Sequence, residues 1–401
     1  MLELDNFQRS YFGLDPIQPD WDKVPFKGDT YRPDSVLYFQ KNVMKKQVIS
    51  TEKEYKELQF NEATESRKVI LPKTKKGKPK RLSPAVLESK TPIGVYLYLN
   101  NDGELLIGNH TTQTTFYSRR WEFERGPSDI QELIKDFIKY SPQNHFEEIE
   151  RFRFSKRRNI KFNEGDFFAF KLNRSEYGFG RILLNIAKLR ETKLLPENHG
   201  FNLIMSRPVL IKFYAYKSEN KNVDIDVLKN QKSLPSDYIM DNIIFYGEYE
   251  IIGNLPLKIT EFDFPVSYGR RIDQVPNVFL QWGLIHQELP KREFDKYLTA
   301  INEKLPESNP SRHISNPYGY YSIGFRPKID PFEIIATIKN NGEYNYSSTH
   351  YKIDWDLRNP KNKSIRDDIF KKFGLNPNLS YEENRKISNT IDILDIIKNN
   401  K

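Results

Sequence analysis

Short apolar runs broken by Asn, Asp, Gly and Pro set the pattern of this chain from its first hundred residues onward. Val36-Leu-Tyr-Phe39 and Val43 to Ile49 read as strands, and the polar, Glu/Lys-rich stretch Thr51 to Phe60 as a short helix. Ile93 to Leu99 and Glu104 to Ile107, joined by Asn-Asn-Asp-Gly103, predict a hairpin, because Asp-Gly supplies the positive φ of a tight turn. Thr114 to Phe123 reads as another strand. A helix follows Gly126-Pro127, with Ser128 as its N-cap, and Ile130, Leu133, Ile134, Phe137 and Ile138 form one apolar face. Ser141-Pro142 ends it. Residues 1–30 show no period and predict an irregular segment packed by Phe7, Tyr11, Phe12 and Trp21.

The second half repeats the strand pattern without repeating the sequence. Glu164-Gly165-Asp166 is a turn into the apolar strand Phe167 to Leu172, Asn173 to Glu176 is a polar reversal, and Tyr177 to Leu184 returns. Gly178 and Gly180 allow a close backbone approach or a sharp bend there. Beyond a loop at Pro196 to Gly200, Val209 to Tyr216 reads as a strand, and Ile243 to Tyr246 and Tyr249 to Ile252 continue the β character. Pro290 opens a predicted helix with Phe294, Tyr297, Leu298, Ile301 and Leu305 on one face. Strands are predicted at Tyr320 to Phe325, Glu333 to Ile338 and Tyr351 to Trp355. A helix is predicted at Ser364 to Phe373, stopped by Gly374, and the apolar-periodic end, Asn389 to Ile397, is expected to dock. The expected fold is α+β and β-rich, with two domains, 1–155 and 156–401. The second is expected to be a strongly bent sheet or partial barrel with packed helices.

Composition sharpens this picture in three places. Only 37% of the 401 residues are hydrophobic, but 27 Phe and 23 Tyr predict an aromatic core. The absence of cysteine excludes disulfides, thiolate catalysis and Cys-ligated metal sites. The net charge of +9 is concentrated: residues 67–81 carry eight basic groups and residues 151–161 six, leaving −5 for the rest. No apolar run is long enough to span a membrane and the first residues lack a signal-peptide pattern, so the cytoplasm is the expected location.

Candidate chemistry is sparse. Histidines at 110, 145, 199, 286, 313 and 350 have no metal-ligand spacing and read as structural or solvated. No nucleophile elbow, phosphate loop or dinucleotide fingerprint occurs. Asp34 followed by Glu54-Tyr-Lys56 imitates the carboxylate–Glu-x-Lys order of metal-dependent nucleases, but Lys and Glu are too common here for the match to carry weight. No metal, cofactor or catalytic residue is expected.

The segment Glu164-Gly-Asp-Phe-Phe-Ala-Phe170 with Tyr177-Gly-Phe-Gly-Arg181 carries the most information. With Phe279-Leu-Gln-Trp-Gly-Leu-Ile-His286 and Glu288-Leu-Pro290 it resembles the bacterial immunity protein 26 family, over about residues 156–345 and extending toward the C-terminus. The resemblance implies a bacterial, non-enzymatic protein that binds and neutralises a cognate toxin, the C-terminal domain of a secreted polymorphic toxin. Gly165, Asp166, Tyr177, Gly178, Gly180, Trp282 and Gly283 would be structural positions of the motif. Toward a basic toxin, the contact candidates are Asp237, Asp241, Glu248, Glu250, Glu261 and Asp263. The alternative is a nucleic-acid-binding accessory protein. It would use a basic surface of Lys73, Lys75, Lys76, Lys78, Lys80, Arg81, Arg151, Arg153, Arg157 and Arg158, the last four interleaved with Phe152 and Phe154.

Overall fold

The computed structural model of the chain describes residues 2–72, 77–119, 129–204, 206–270, 276–298, 325–326, 331–346 and 356–399. The fold is α+β and strand-rich, and its sheets are not closed into a barrel.

The first 153 residues build one antiparallel sheet and its covering helices. Helix α1 (Asn6–Tyr11) starts with a capping box in which Asp5 and Gln8 satisfy each other's amides. Strands β1 (Asp22–Phe26), β2 (Ser35–Gln40), β3 (Val43–Ser50) and β4 (Glu54–Glu65) follow, then the short pair β5 (Val69–Ile70) and β6 (Lys80–Arg81). After α2 (Pro84–Glu88) come β7 (Ile93–Asn100), β8 (Leu105–Asn109), β9 (Thr114–Ser118) and the helices α3 (Ile130–Lys139) and α4 (His145–Arg153). The main path is β1-β2-β3-β4-β7-β8-β9, with β5 and β6 extending from β4 to make nine strands. Alternation sorts the side chains. Tyr38, Val48, Tyr55, Leu97 and Ile107 face α1, α3 and α4, while Leu37, Phe39, Leu58 and Phe60 face α2.

Several sequence expectations fail in this region. The predicted helix at Thr51 to Phe60 is the central strand β4, paired on both sides. Its Glu and Lys content favours helix in isolation, but two hydrogen-bonded ladders and the burial of Tyr55, Leu58 and Phe60 override propensity. The N-terminal thirty residues are less irregular than expected, since they hold α1 and β1. Helix α3 is capped by Asp129, which accepts from the Glu132 amide, in place of Ser128, which lies outside the described residues. The 67–81 loop contains the β5–β6 pair.

From residue 166 a second sheet forms in the order β14-β10-β11-β12-β13-β18. Its members are β10 (Asp166–Lys171), β11 (Tyr177–Asn185), β12 (Pro208–Ser218), β13 (Asp237–Met240), β14 (Glu250–Asn254) and β18 (Phe325–Arg326). Between them lie α5 (Ile186–Glu191), α6 (Gly200–Leu203), α7 (Ile225–Leu228) and α8 (Asn242–Phe245), and α9 (Pro331–Lys339) packs against β12. The predicted β10–β11 hairpin is present, pairing Phe168 with Gly180 and Phe170 with Gly178. A side chain at 180 would collide with the Phe168 ring and with the Lys212 carbonyl at 2.6 Å, so only glycine admits β12 this close. Gly165, at φ +88°, holds the turn into β10.

A third sheet, β15 (Val266–Arg270), β16 (Asn277–Trp282) and β17 (Ile285–Pro290), shares one core with α10 (Lys363–Lys372), α11 (Tyr381–Ile387) and α12 (Ile393–Asn399). Trp282 packs on Phe370 and Tyr381, and Gly283 turns between β16 and β17. Helix α10 matches the helix expected before Gly374, and the C-terminal segment docks through Ile393, Ile396 and Ile397. Three other expectations fail. Residues 243–245 belong to α8, with Tyr246 as its C-cap, 333–338 belong to α9, and the helix after Pro290 is a 3₁₀ turn at Lys291–Glu293 followed by irregular chain to Leu298. Short apolar runs do not distinguish buried strand from buried helix, which is the physical reason for the first two. Of the positions expected on that helix's face, Ile301 and Leu305 lie outside the described residues, as do the strand positions expected at 320–324 and 351–355.

Among the described residues, no apolar core cluster contains side chains from both sides of residues 153–161. The two halves meet instead through polar groups.

Candidate partner interface

Residues 155–163 run without regular structure between α4 and the turn at Gly165. Polar contacts on either side of them tie the nine-stranded and six-stranded sheets together. Arg174, at the tip of the β10–β11 turn, enters the α3–α4 pair. Its Nη1 donates to the Phe137 carbonyl at 2.7 Å, and its Nη2 to Ser141 Oγ at 2.7 Å and to His145 Nδ1 at 3.1 Å. The guanidinium lies 3.9 Å from the centre of the Phe137 ring. His145 Nε2 donates to the Tyr11 carbonyl at 2.8 Å. Since Arg can only donate, this geometry requires neutral His145 with Nδ1 bare. Burial, the first cause, holds the imidazole below its usual range, and Arg174 adds to this against the Tyr11 carbonyl. Lys171 Nζ adds a 3.0 Å ion pair to Glu148.

Beside this contact a cleft of about 240 Å³ opens between the two sheets. One wall is β9 and α4 with its following residues; the other is β10, the start of β11 and the chain leading into β14. Phe116, Phe152, Phe170, Tyr177 and Tyr249 supply apolar surface. Glu248 spans the seam: its Oε2 accepts from the amide of Thr115, on the edge strand β9, at 3.1 Å. A second cavity of about 270 Å³ lies across Thr114, Thr115 and Glu248, where His110 stacks on Tyr96 with ring centres 4.2 Å apart.

The sequence-predicted residues distribute unevenly over this geometry. Of the acidic candidates, only Glu248 and Glu250 line the cleft, and Lys221 pairs with Glu250 at 2.7 Å. Asp237 is buried and accepts from the Tyr238 amide. Asp241 pairs with Arg207 at 3.2 Å, its carboxyl pushed up by burial. Glu261 pairs with Arg181 and Lys212, and Asp263 with Arg358 at 3.0 Å. All six carboxylates thus have internal partners.

The basic candidates also part company. Lys78, Lys80 and Arg81 are exposed beside β5, while Lys73, Lys75 and Lys76 lie outside the described residues. Arg151 and Arg153 sit in the last turn of α4, where the sequence left strand or linker open. Arg153 turns away to Asp15 at 2.6 Å, and Arg157 packs over the Tyr246 ring and donates to its hydroxyl at 2.7 Å. Arg151 and Arg158 reach the cleft.

Histidines 110, 145, 199 and 286 are structural in their contacts. His199 is held at about 3 by burial and by His286, whose Nε2 lies 3.3 Å from Glu288. His313 and His350 lie outside the described residues. The nuclease-like trio does not share a site. Asp34 is engaged by Lys27 and the Gly28 amide, with β3 between it and the strand bearing Glu54 and Lys56. Among the described residues no group of three His, Asp or Glu is placed to hold a metal.

The wall formed by β10, β11 and the residues leading into β14 is the part that known proteins illuminate. Residues 163–275 match the family model of Immunity protein 26. No curated protein and no solved structure matches the chain. The immunity protein 26 segment covers β10 to β15, and so takes in Gly165, Asp166, Tyr177, Gly178 and Gly180. It ends before Trp282 and Gly283, so the second half of the expected resemblance lies beyond the matched stretch. Arg174 and Lys171, both within the segment, were missed in the sequence because their partners lie 23 to 37 residues away.

Proposed function

We propose that this protein is an immunity protein, non-enzymatic and cytoplasmic, that binds a cognate bacterial toxin and neutralises it by non-covalent occlusion. The observation that carries the reading is the immunity protein 26 match at residues 163–275. Two features support it. The matched segment is rigidly built, its β10–β11 hairpin locked by glycine–aromatic contacts, as a surface that must fit another protein without reordering requires. And the acidic contact candidates are held by internal partners, which fixes the directions in which they can be presented to another protein. The partner is the C-terminal domain of a secreted polymorphic toxin. The chain is organised as domains 1–155 and 156–401, a division favoured by the separate apolar cores. The six acidic candidates remain contact positions in this proposal, with Glu248 and Glu250 foremost because they reach an open cleft.

The test is survival of cells expressing the toxin encoded beside this gene, with and without the full chain. Protection by the full chain, with formation of a stable complex, is the expected result. Cells that die equally in both cases, or protection without any complex, would sink the proposal.

A further inference from the structure

The cleft between the two sheets has an uneven charge balance. Arg151, Lys156, Arg158, Lys171 and Lys221 line it, against the carboxylates of Glu148, Glu248 and Glu250, an excess of two positive charges. Lys171 is paired with Glu148, Lys221 with Glu250 and Arg151 with Glu147. Lys156 and Arg158 are exposed at the cleft and make no ion pair within the described residues. With these three pairs set aside, Lys156 and Arg158 remain against the Glu248 carboxylate, which takes the Thr115 amide, and they stand beside the apolar surface of Phe116, Phe152 and Tyr249.

We infer that this cleft receives an acidic loop of the protein partner, seating a carboxylate between Lys156 and Arg158 and an aromatic or aliphatic neighbour on that apolar surface. The inference rests on the immunity reading and names the chemistry of the contact. Size supports a loop: about 240 Å³ is below the range of small-molecule pockets but holds one or two side chains of an inserted anchor. Charge favours protein over nucleic acid. A phosphodiester chain needs a continuous cationic track, whereas three lining carboxylates interrupt this one. Two exposed cations without fixed partners suit a single acidic loop and would speed its encounter. This places contact residues on the basic 151–158 stretch as well as on the acids of the matched segment.

The test uses the full chain, the double variant K156E/R158E, and a control, K80E/R81E, with exposed cations remote in the fold. Three labelled probes are titrated by fluorescence anisotropy: a peptide of alternating Glu and Trp, its Lys-for-Glu counterpart, and oligo-deoxythymidine. The expected result is binding of the acidic peptide that weakens at least ~10-fold in K156E/R158E and is unchanged in the control. Unchanged thermal unfolding verifies that both variants fold. Absence of acidic-peptide binding, equal binding by the double variant, or preferred binding of the oligonucleotide with a steep salt dependence would each overturn the inference. The same variants are then scored for protection from the neighbouring toxin. A wild-type chain that binds the acidic peptide but fails to protect removes the immunity reading and leaves the cleft assignment standing. A wild-type chain that protects while the double variant protects equally removes the cleft assignment alone.

Discussion

Each large sheet carries an Arg–Glu–Lys triad beside an aromatic side chain, and the two are built differently. In the nine-stranded sheet Glu57 of β4 is fully buried beneath α1. Arg9 Nε lies at 3.1 Å from it, the Tyr55 hydroxyl donates at 2.6 Å, and Lys46 of β3 closes the group. Lys46 also donates to the Asp15 carbonyl at 2.6 Å. Burial pushes the Glu57 carboxyl up, but Lys46 and Arg9 more than reverse this and hold it below the usual carboxylate range. Lys46 itself is held low by burial. In the six-stranded sheet Arg181, Lys212 and Glu261 form the counterpart, with the Arg181 guanidinium 4.5 Å from the Phe167 ring centre. Glu261 retains some solvent contact, and Arg181 finds further acceptors in the Leu255 and Pro256 carbonyls. The lesson is that water cannot replace a lost counter-charge in a sealed triad, whereas a triad at a rim can recruit it.

The largest expected effect is therefore at Glu57. Glu57→Gln leaves two buried cations without a counter-charge and is expected to cost about 3–5 kcal/mol of unfolding free energy, measured by urea titration. Amide hydrogen exchange should show the loss concentrated in β3, β4 and α1. A cost below that of the matching change in the other triad would break the comparison.

Next in size is Arg174→Ala, which removes the guanidinium from the Phe137 carbonyl, Ser141 and His145 and is expected to cost about 2–3 kcal/mol. Because this contact joins the two sheets, the unfolding curve should separate into two transitions read by tryptophan fluorescence and circular dichroism. Coincident transitions would show that the sheets are coupled elsewhere. Glu261→Gln comes third, at about 1–2 kcal/mol, with the loss confined to β11, β12 and the residues near 255–261.

The smallest effect is one of pH. His145 has its folded-state value depressed below 6.5, so the neutral ring contributes stability that is complete above about 6.5 and declines as pH falls toward the folded value. Arg174 and Glu148 are the charged groups bearing on it, with opposite signs. The Arg174→Ala chain should thus lose less stability than wild type between pH 7.5 and 5.5, roughly the range in which histidine titrates. His199 adds the same drift to both chains and cancels in the difference. A steeper acid loss in the variant would refute the assignment of His145 as a neutral acceptor.

Legibility in the sequence follows locality. The 93–107 and 166–184 hairpins were readable because turn chemistry and strand pattern sit within a few residues, and α10 because its apolar face and Gly374 are adjacent. Strand β4 was not, since Glu57 is intelligible in a strand only with Arg9, 48 residues earlier, and Lys46 on the neighbouring strand. Helices α8 and α9 were misread because a run of four to six apolar residues fits either structure once buried on all sides. The cleft was legible only in pieces. Arg151 and Arg158 stood among the basic candidates and Glu248 and Glu250 among the acidic ones, and nothing local indicates that both groups line one opening.

The carboxylate that Glu248 extends to the Thr115 amide has a consequence for solubility. An outermost strand with bare amides invites another chain to hydrogen-bond alongside, which is how sheets polymerise. Here a charged side chain from the segment leading into β14 occupies one of those amides on β9. Separating the two halves by truncation would uncover that rim, so the isolated first half should be more prone to self-association than the intact chain.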